Sequence, residues 1–90
     1  MKLIPLTKKI KSVRYLVHPK ESEMLAKNDG LVWATMLRWY RHEAFDREEV
    51  IQAGRVGLLH GIRTFKPGEN KFSTWAIPQI RGAINNYLRS

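Results

Sequence analysis

The chain has 90 residues and no cysteine, and its 16 Lys and Arg against 8 Asp and Glu give a formal net charge of +8. This length suits one small domain, and the lack of cysteine excludes disulfide bonds and cysteine-ligated zinc. No apolar run approaches the roughly 20 residues that a bilayer-spanning helix needs, and the N-terminus lacks the apolar core of a signal peptide. We therefore expect a single domain in the cytoplasm.

The positive charge lies mainly at the two ends of the sequence. Residues 1–20 carry six basic and no acidic side chains, residues 21–60 have a net charge of −2, and residues 61–90 a net charge of +4. Two basic ends suit a polyanionic partner such as nucleic acid, although a solvated basic tail would give the same composition. We predict a basic N-terminal arm over residues 1–20 and a helical domain over residues 21–90.

The first half of the predicted domain contains two helical segments. The segment ESEMLAKN predicts a short helix, which the turn signal at Asn28 to Gly30 should end. The segment LVWATMLRWYRH follows, and it is apolar on nearly every side, which is typical of a helix buried by its neighbours.

Two longer helices follow, and no β alternation is long enough for a strand. Asp46 is the expected N-cap of the middle helix, with Glu49 completing a capping box. Ser73 or Thr74 should cap the closing helix. The sequence therefore predicts an all-α fold, a compact bundle of three to four helices.

The middle helix has two faces of different composition. The predicted core face consists of Ile51, Gly54, Leu58, Ile62 and Phe65, with Gly57 and Gly61 on its flank. Because glycine costs about 1 kcal/mol in a helix relative to alanine, these glycines indicate close approach by another helix, and LVWATMLRWY with its two tryptophans is the expected neighbour. The opposite face is expected to be exposed, as either ordinary surface or a docking patch: Glu49, Gln52, Val56, Leu59 and Arg63.

The closing helix places a tryptophan away from its apolar stripe. Its expected buried residues share one face: Ile77, Ile80, Ile84 and Leu88. Trp75 falls on the other side, so we expect it to be exposed to solvent. The alternative is that Trp75 packs locally under the KPGEN loop.

The segments EEVIQAGRVGLLHGIRTF and KFSTWAIPQIRGAINNYLR, preceded by NDGLVWATMLRWY, together resemble region 2 of the sigma-70 family of RNA polymerase sigma factors, most closely the alternative factors of stress response and sporulation. The resemblance covers roughly residues 25–89. It implies a subunit of RNA polymerase that binds the clamp helices of the largest catalytic subunit and recognises and melts the promoter minus-ten element.

The resemblance also assigns residues to two sites. The implied contacts with polymerase lie on the middle helix: Glu49, Gln52, Arg55, Val56 and Leu59. For promoter DNA, the resemblance implies that Trp75, the aromatic residue after the FST triplet, stacks on an unpaired base of the non-template single strand. The residues around it have side chains suited to phosphates or to base edges: Lys71, Arg81 and Arg89 for phosphates, and Gln79, Asn85 and Asn86 for bases. Each of these could instead be a plain surface residue of a helix.

Catalysis is not expected, because the three histidines have no metal-ligand spacing and no nucleophile has a base beside it. We therefore predict no cofactor and no metal site. Regions that would complete a sigma factor are not present in the sequence. The chain could be a domain of a longer protein, a single-region sigma subunit that works with a second polypeptide, or a regulator that occupies the sigma site without initiating transcription. Met1 and the arm favour a complete small protein, and a helix-turn-helix binder of duplex DNA is the alternative outside this family.

Overall fold

The computed structural model describes residues 4–5, 16–40, 46–68 and 70–89. These residues form a short antiparallel strand pair and a bundle of three helices, which confirms the all-α fold class. The elements are β1 (Ile4–Pro5), β2 (Leu16–Val17), α1 (Pro19–Trp39), α2 (Arg47–Thr64) and α3 (Phe72–Arg89). Helix α2 lies between the other two and packs against both.

All three helices and strand β2 contribute to one hydrophobic core, whose fully or almost fully buried members include Val17, Val32, Met36, Ile51, Leu58, Ala76, Ile80 and Ile84. In α3, Ile80 and Ile84 are buried as expected, whereas Ile77 and Leu88 are only half-buried. Helix α2 is buried over more of its circumference than predicted, because two helices cover it from different sides.

Helix α1 runs without interruption through Asn28, Asp29 and Gly30, so the predicted turn at this point is wrong. The polar side chains that would favour a turn find partners on the helical surface instead. The Asn28 amide donates to the Met24 carbonyl oxygen at 2.9 Å, and the Asp29 carboxylate accepts a hydrogen bond from the Arg55 guanidinium on α2 at 2.7 Å. Packing against α2 thus outweighs the local turn preference.

The prediction that α1 is buried on nearly every side is also wrong. Its buried residues lie on one face, namely Leu25, Val32, Thr35 and Met36. Trp33 and Leu37 keep 42% and 48% of their surface exposed. Because the other helices pack against only one side of α1, the apolar residues on its other side are exposed to solvent.

The glycines of α2 allow close helix packing, but their main neighbour is α3 and not the tryptophans of α1. A Cβ atom at Gly57 would lie 2.7 Å from the Cα atom of Ile80 and would also meet the carbonyl oxygen of Gln79. At Gly54 the added atom would lie 2.7 Å from a methyl group of Val32 on α1. Gly57 therefore lets the backbones of α2 and α3 approach more closely than any side chain would permit.

The helix starts agree with the sequence at α2 and differ at α3. Asp46 caps α2 as predicted, with its carboxylate accepting from the Glu48 amide at 2.9 Å. The predicted capping box with Glu49 is not formed, and the Glu49 carboxylate instead accepts a hydrogen bond from the Tyr87 hydroxyl on α3. Helix α3 begins at Phe72, so Ser73 and Thr74 lie inside its first turn and not before it.

The N-terminal part of the chain is joined to the bundle. Strand β2 pairs with β1 in the register Ile4 to Val17, and the Val17 side chain is 1% exposed. The Arg63 guanidinium donates to both carboxylate oxygens of Glu21 at 2.6 and 3.0 Å and to the Leu16 carbonyl oxygen at 3.1 Å. Helix α1 begins at Pro19, capped by His18. The other residues of the predicted basic arm, 1–3 and 6–15, lie outside the described part of the chain.

We predict that Gly57→Ala destabilises the fold by about 1–3 kcal/mol, the usual cost of overpacking a core, because the new methyl group meets backbone atoms of α3. Gly30→Ala is the matched control, since its Cβ would meet nothing within 4 Å and alanine favours the helix by about 1 kcal/mol. Urea unfolding monitored by circular dichroism measures both. Equal stability of the two variants would contradict the close packing at Gly57.

We predict a pH dependence from the ion pair between Glu21 and Arg63. The Arg63 guanidinium and the His18 backbone amide lower the Glu21 pKa from its ordinary 4.5 to about 2. Because the folded pKa is depressed, the stabilisation is complete above pH 4.5 and is lost as the pH falls towards 2. The difference in unfolding free energy between the natural chain and Glu21→Gln should therefore be constant near neutrality and shrink in that window. A difference independent of pH would contradict the ion pair.

Candidate functional site

An open groove runs between α2 and α3, with a volume of about 480 Å³. We call it the α2–α3 groove. Its apolar surface comes from Val56, Leu59, Pro78, Gly82 and Ala83, and its polar margin from His60, Arg63, Gln79 and Asn86. Gly57 of α2 also lines the groove, at the point where the two helices approach most closely. An apolar floor with amide and imidazole groups along its margin can receive either an apolar side chain or a nucleobase.

The predicted polymerase contacts on α2 divide into exposed and buried residues. Glu49 is exposed and Val56 is half-buried, and Val56 lines the α2–α3 groove. Gln52 is 7% exposed and Leu59 is 2% exposed, so the expectation that both project from an outer face is wrong. The physical reason is that α1 and α3 pack on two sides of α2 and leave only a narrow strip of it in solvent.

Arg55 has an intramolecular partner. Its guanidinium donates two hydrogen bonds to the Asp29 carboxylate, at 2.7 and 3.0 Å, and Asp29 also accepts from the Trp33 indole nitrogen at 3.2 Å. This pairing lowers the Asp29 pKa and raises the Arg55 pKa. Arg55 therefore links α2 to α1, and its charge is largely neutralised in the folded chain.

Trp75 is exposed as predicted, but one edge of its ring system is held by the protein. The side chain is 38% exposed, and its indole nitrogen donates to the Thr64 hydroxyl at 3.2 Å. Together with Thr64, Phe65, Lys66 and Asn70 it lines a hollow of about 250 Å³. Trp75 thus combines local packing against the end of α2 with an exposed aromatic surface.

The predicted DNA contacts on α3 fall into two groups that face different neighbours. Gln79 and Asn86 line the α2–α3 groove. Arg81 and Asn85 face α1: the Arg81 guanidinium lies 4.4 Å from the centroid of the Trp39 ring, and the Tyr40 hydroxyl donates to the Asn85 amide oxygen at 2.5 Å. Asn85, Asn86 and Arg89 also line a second hollow, of about 430 Å³, near the end of α3. The structure thus brings these three predicted residues together, whereas Trp75 lines a separate hollow at the start of the helix.

The two terminal basic residues of this set are exposed. Lys71 immediately precedes α3 and Arg89 ends it. The Arg89 guanidinium donates to the Asn86 amide oxygen at 2.8 Å, which fixes the amide of Asn86 relative to the groove. Both cations remain accessible to a phosphate group.

Sequence reasoning missed several residues that shape this surface. Trp39 and Tyr40 contact α3 across 41 or more positions in the chain, and no local pattern indicates such a contact. His60 lines the groove and follows Val56 at helical spacing, so its position on the same face could have been read from the sequence.

Two further findings concern sites of other kinds. In the described ranges, no group of three or more His, Asp or Glu side chains is arranged to hold a metal ion. Among the helices described for this chain, none is long and apolar enough to cross a membrane.

Comparison with known proteins places these features in a family. The family model for sigma-70 region 2 matches residues 24–90. The RNA polymerase sigma-F factor of Priestia megaterium is 33% identical over 67 residues, which cover 73% of this chain and 26% of the relative. The sigma-G factor of Clostridium acetobutylicum is 34% identical over 68 residues, covering 74% of this chain and 26% of the relative.

A shorter match joins the sigma-G factor of Bacillus subtilis, which is 44% identical over 43 residues, or 47% of this chain and 16% of the relative. No solved structure matches significantly. In these three matches the chain spans about a quarter of the relatives' length or less. Because the family model covers most of the chain, the chain belongs to the sigma-70 region 2 family.

Proposed function

We propose that this chain is a sigma subunit of RNA polymerase, or a single-region sigma-like protein, that binds the clamp helices of the polymerase and recognises and melts the promoter minus-ten element. One observation carries the proposal: a chain of this family presents a partly exposed tryptophan at the start of a helix with basic residues at both ends. The related proteins are named as RNA polymerase sigma factors. Regions beyond this domain would come from elsewhere in a longer chain or from a second polypeptide.

Polymerase would dock on the exposed strip of α2. With Gln52 and Leu59 buried, the accessible apolar group there is Val56, with His60 one turn further along. Both border the α2–α3 groove, which offers a depression for a side chain of the polymerase. Glu49, at the start of α2, supplies an exposed carboxylate to the same surface.

Trp75 would hold an unpaired base of the non-template strand. Extruding a base costs a few kcal/mol, and stacking on an aromatic ring returns about 1–3 kcal/mol. The hydrogen bond to Thr64 fixes the indole ring before DNA binds, so little side-chain entropy is lost in stacking.

Lys71 and Arg89 would neutralise phosphates on either side of the stacked base. Such contacts release counterions, so DNA binding should weaken steeply as the salt concentration rises. The amides of Gln79 and Asn86 lie in the α2–α3 groove between them, and glutamine and asparagine side chains suit adenine edges.

A second candidate function is a regulator that occupies the sigma site without initiating transcription. The contacts of Trp39 with Arg81 and of Tyr40 with Asn85 favour it, because they engage two of the expected DNA contacts inside the domain. A duplex-binding helix-turn-helix protein would bind promoter DNA without polymerase. Run-off transcription with core polymerase, with and without a polypeptide supplying the other sigma regions, separates initiation from occupancy.

We predict that Val56→Glu combined with His60→Glu abolishes co-purification with core RNA polymerase, because two carboxylates replace an isopropyl group and an imidazole ring beside the groove. Met24→Glu is the matched control, an exposed apolar residue on α1 that is 39% exposed. Circular dichroism must show that all variants are folded. Unchanged co-purification by the folded double variant would contradict docking on this strip.

We predict that Trp75→Ala weakens binding of the polymerase-bound protein to a single-stranded minus-ten oligonucleotide by about 1–3 kcal/mol. Trp75→Tyr should recover most of the loss, since it keeps an aromatic face. Thr64→Val removes the acceptor of the indole hydrogen bond and the hydroxyl that donates to the His60 carbonyl oxygen, and it keeps the indole ring, so it is the control for altered packing. Fluorescence anisotropy well below the melting temperature of every variant gives the affinities. If Trp75→Ala binds as tightly as the natural chain, Trp75 has a packing role alone.

A further inference from the structure

The outer face of α1, on the side away from the core, is apolar and exposed. We define it by Ala26, Gly30, Trp33 and Leu37, all of which are exposed. They follow one another at intervals of four, three and four residues, the spacing of an apolar seam in a helix pair. Neither α2 nor α3 covers this face, because the buried residues of α1 lie on its other side.

The α1 outer face has small side chains in one half and large side chains in the other. Ala26 and Gly30, in the first half and at the middle of α1, have a methyl group and no side chain respectively, and a Cβ atom at Gly30 would meet nothing within 4 Å. These two residues therefore leave a depression between the larger side chains of the helix. Trp33 and Leu37 project from the other half, with 42% and 48% of their surface exposed. A helix with this arrangement is complementary in shape to a second copy of itself running in the opposite direction.

Trp33 is held in place before any partner binds. Its indole nitrogen donates to the Asp29 carboxylate at 3.2 Å, and Arg55 on α2 fixes that carboxylate with two hydrogen bonds. An exposed aromatic ring whose orientation is already fixed loses little entropy on contact. Such rings are frequent anchors of protein interfaces.

We propose that two copies of this chain associate through their α1 outer faces as an antiparallel, two-fold symmetric helix pair. Along the length of α1, the two-fold axis lies level with the peptide bond between Leu31 and Val32. This level is midway between Gly30 and Trp33 and also midway between Ala26 and Leu37. Each Trp33 then covers Gly30 of the second copy, and each Leu37 covers Ala26 of the second copy. Both copies thus use the same surface patch in the interface, as a closed two-fold dimer requires.

The charges at the two ends of the face favour this orientation. Glu23 lies near the start of α1 and Arg38 near its end, and both are exposed. An antiparallel pair brings each carboxylate towards the guanidinium of the second copy, whereas a parallel pair places like charges together. A second copy is therefore the occupant whose shape and charge both fit.

The association should be weak and should strengthen with salt. A single helix pair is smaller than the roughly 1,200–2,000 Å² of a stable interface, so the dimer forms at high protein concentration. The net charge of +8 on each copy opposes dimerisation, and salt screens this repulsion. The α2–α3 groove and Trp75 lie on other elements and stay accessible, so this inference is independent of the proposed function.

Sedimentation velocity of the full chain over a micromolar concentration series tests the proposal. We expect the average sedimentation coefficient to rise with concentration, and more strongly in higher salt. Trp33→Ala and Gly30→Leu should both abolish the rise, the second by filling the depression. Gly30→Leu should melt at the same or a higher temperature, because leucine favours the helix and meets no neighbour. Met24→Ala, elsewhere on α1, should leave the rise unchanged.

Cross-linking tests the orientation, since the natural chain has no cysteine. Lys27→Cys and Ala34→Cys place thiols on one flank of the face. The two variants are mixed in equal amounts with a short bis-maleimide reagent. A chain carrying Lys27→Cys should become linked to a chain carrying Ala34→Cys faster than either variant becomes linked to a second copy of itself. Faster linking of like chains would overturn the antiparallel arrangement. A chain that stays monomeric throughout, or a dimer unaffected by Gly30→Leu, would overturn the proposal and leave this face to a different polypeptide.

Discussion

The close approach of α2 and α3 at Gly57 is the constraint on which the rest of the structure depends. An added Cβ atom there would lie 2.7 Å from the Ile80 Cα atom, so only glycine permits this separation of the helices. Leu58 and Ile80 are fully buried beside this contact, and Gly57 itself lines the α2–α3 groove. A core of this size leaves little margin in stability, which is why one methyl group at this position has a large expected effect.

Two bidentate ion pairs connect α1 to α2 at different points along the bundle. Asp29 with Arg55 lies near the middle of α1, and Glu21 with Arg63 lies at its start. Partly exposed pairs of this kind contribute modestly to stability. Their larger consequence is functional, because each one engages an arginine of α2 that would otherwise be available to a partner. The polymerase surface proposed here is therefore smaller and less charged than the sequence suggests.

The three tryptophans have three different surroundings, although all are partly exposed. Trp75 is held at one edge by Thr64 and presents its face beside basic residues. The guanidinium groups of Arg38 and Arg81 lie over the Trp39 ring, 5.2 and 4.4 Å from its centroid, where cation–π attraction stabilises them. Trp33 is oriented by Asp29 and faces solvent on α1. The core of so small a domain cannot enclose three large aromatic side chains, so each of them keeps part of its surface in solvent.

The sequence by itself determined the helical class, the N-cap at Asp46, the exposure of Trp75 and the family, because each of these follows from local periodicity, capping chemistry or motif spacing. Only the tertiary structure decided that α1 continues through Gly30, that Gln52 and Leu59 are buried, and that Arg81 and Asn85 face α1. These outcomes depend on which helices cover α2 and on contacts between residues far apart in the chain, such as Arg55 with Asp29 and Tyr40 with Asn85. A periodic pattern shows that a helix has an apolar side, but the number of neighbours that pack against it depends on how the whole chain folds.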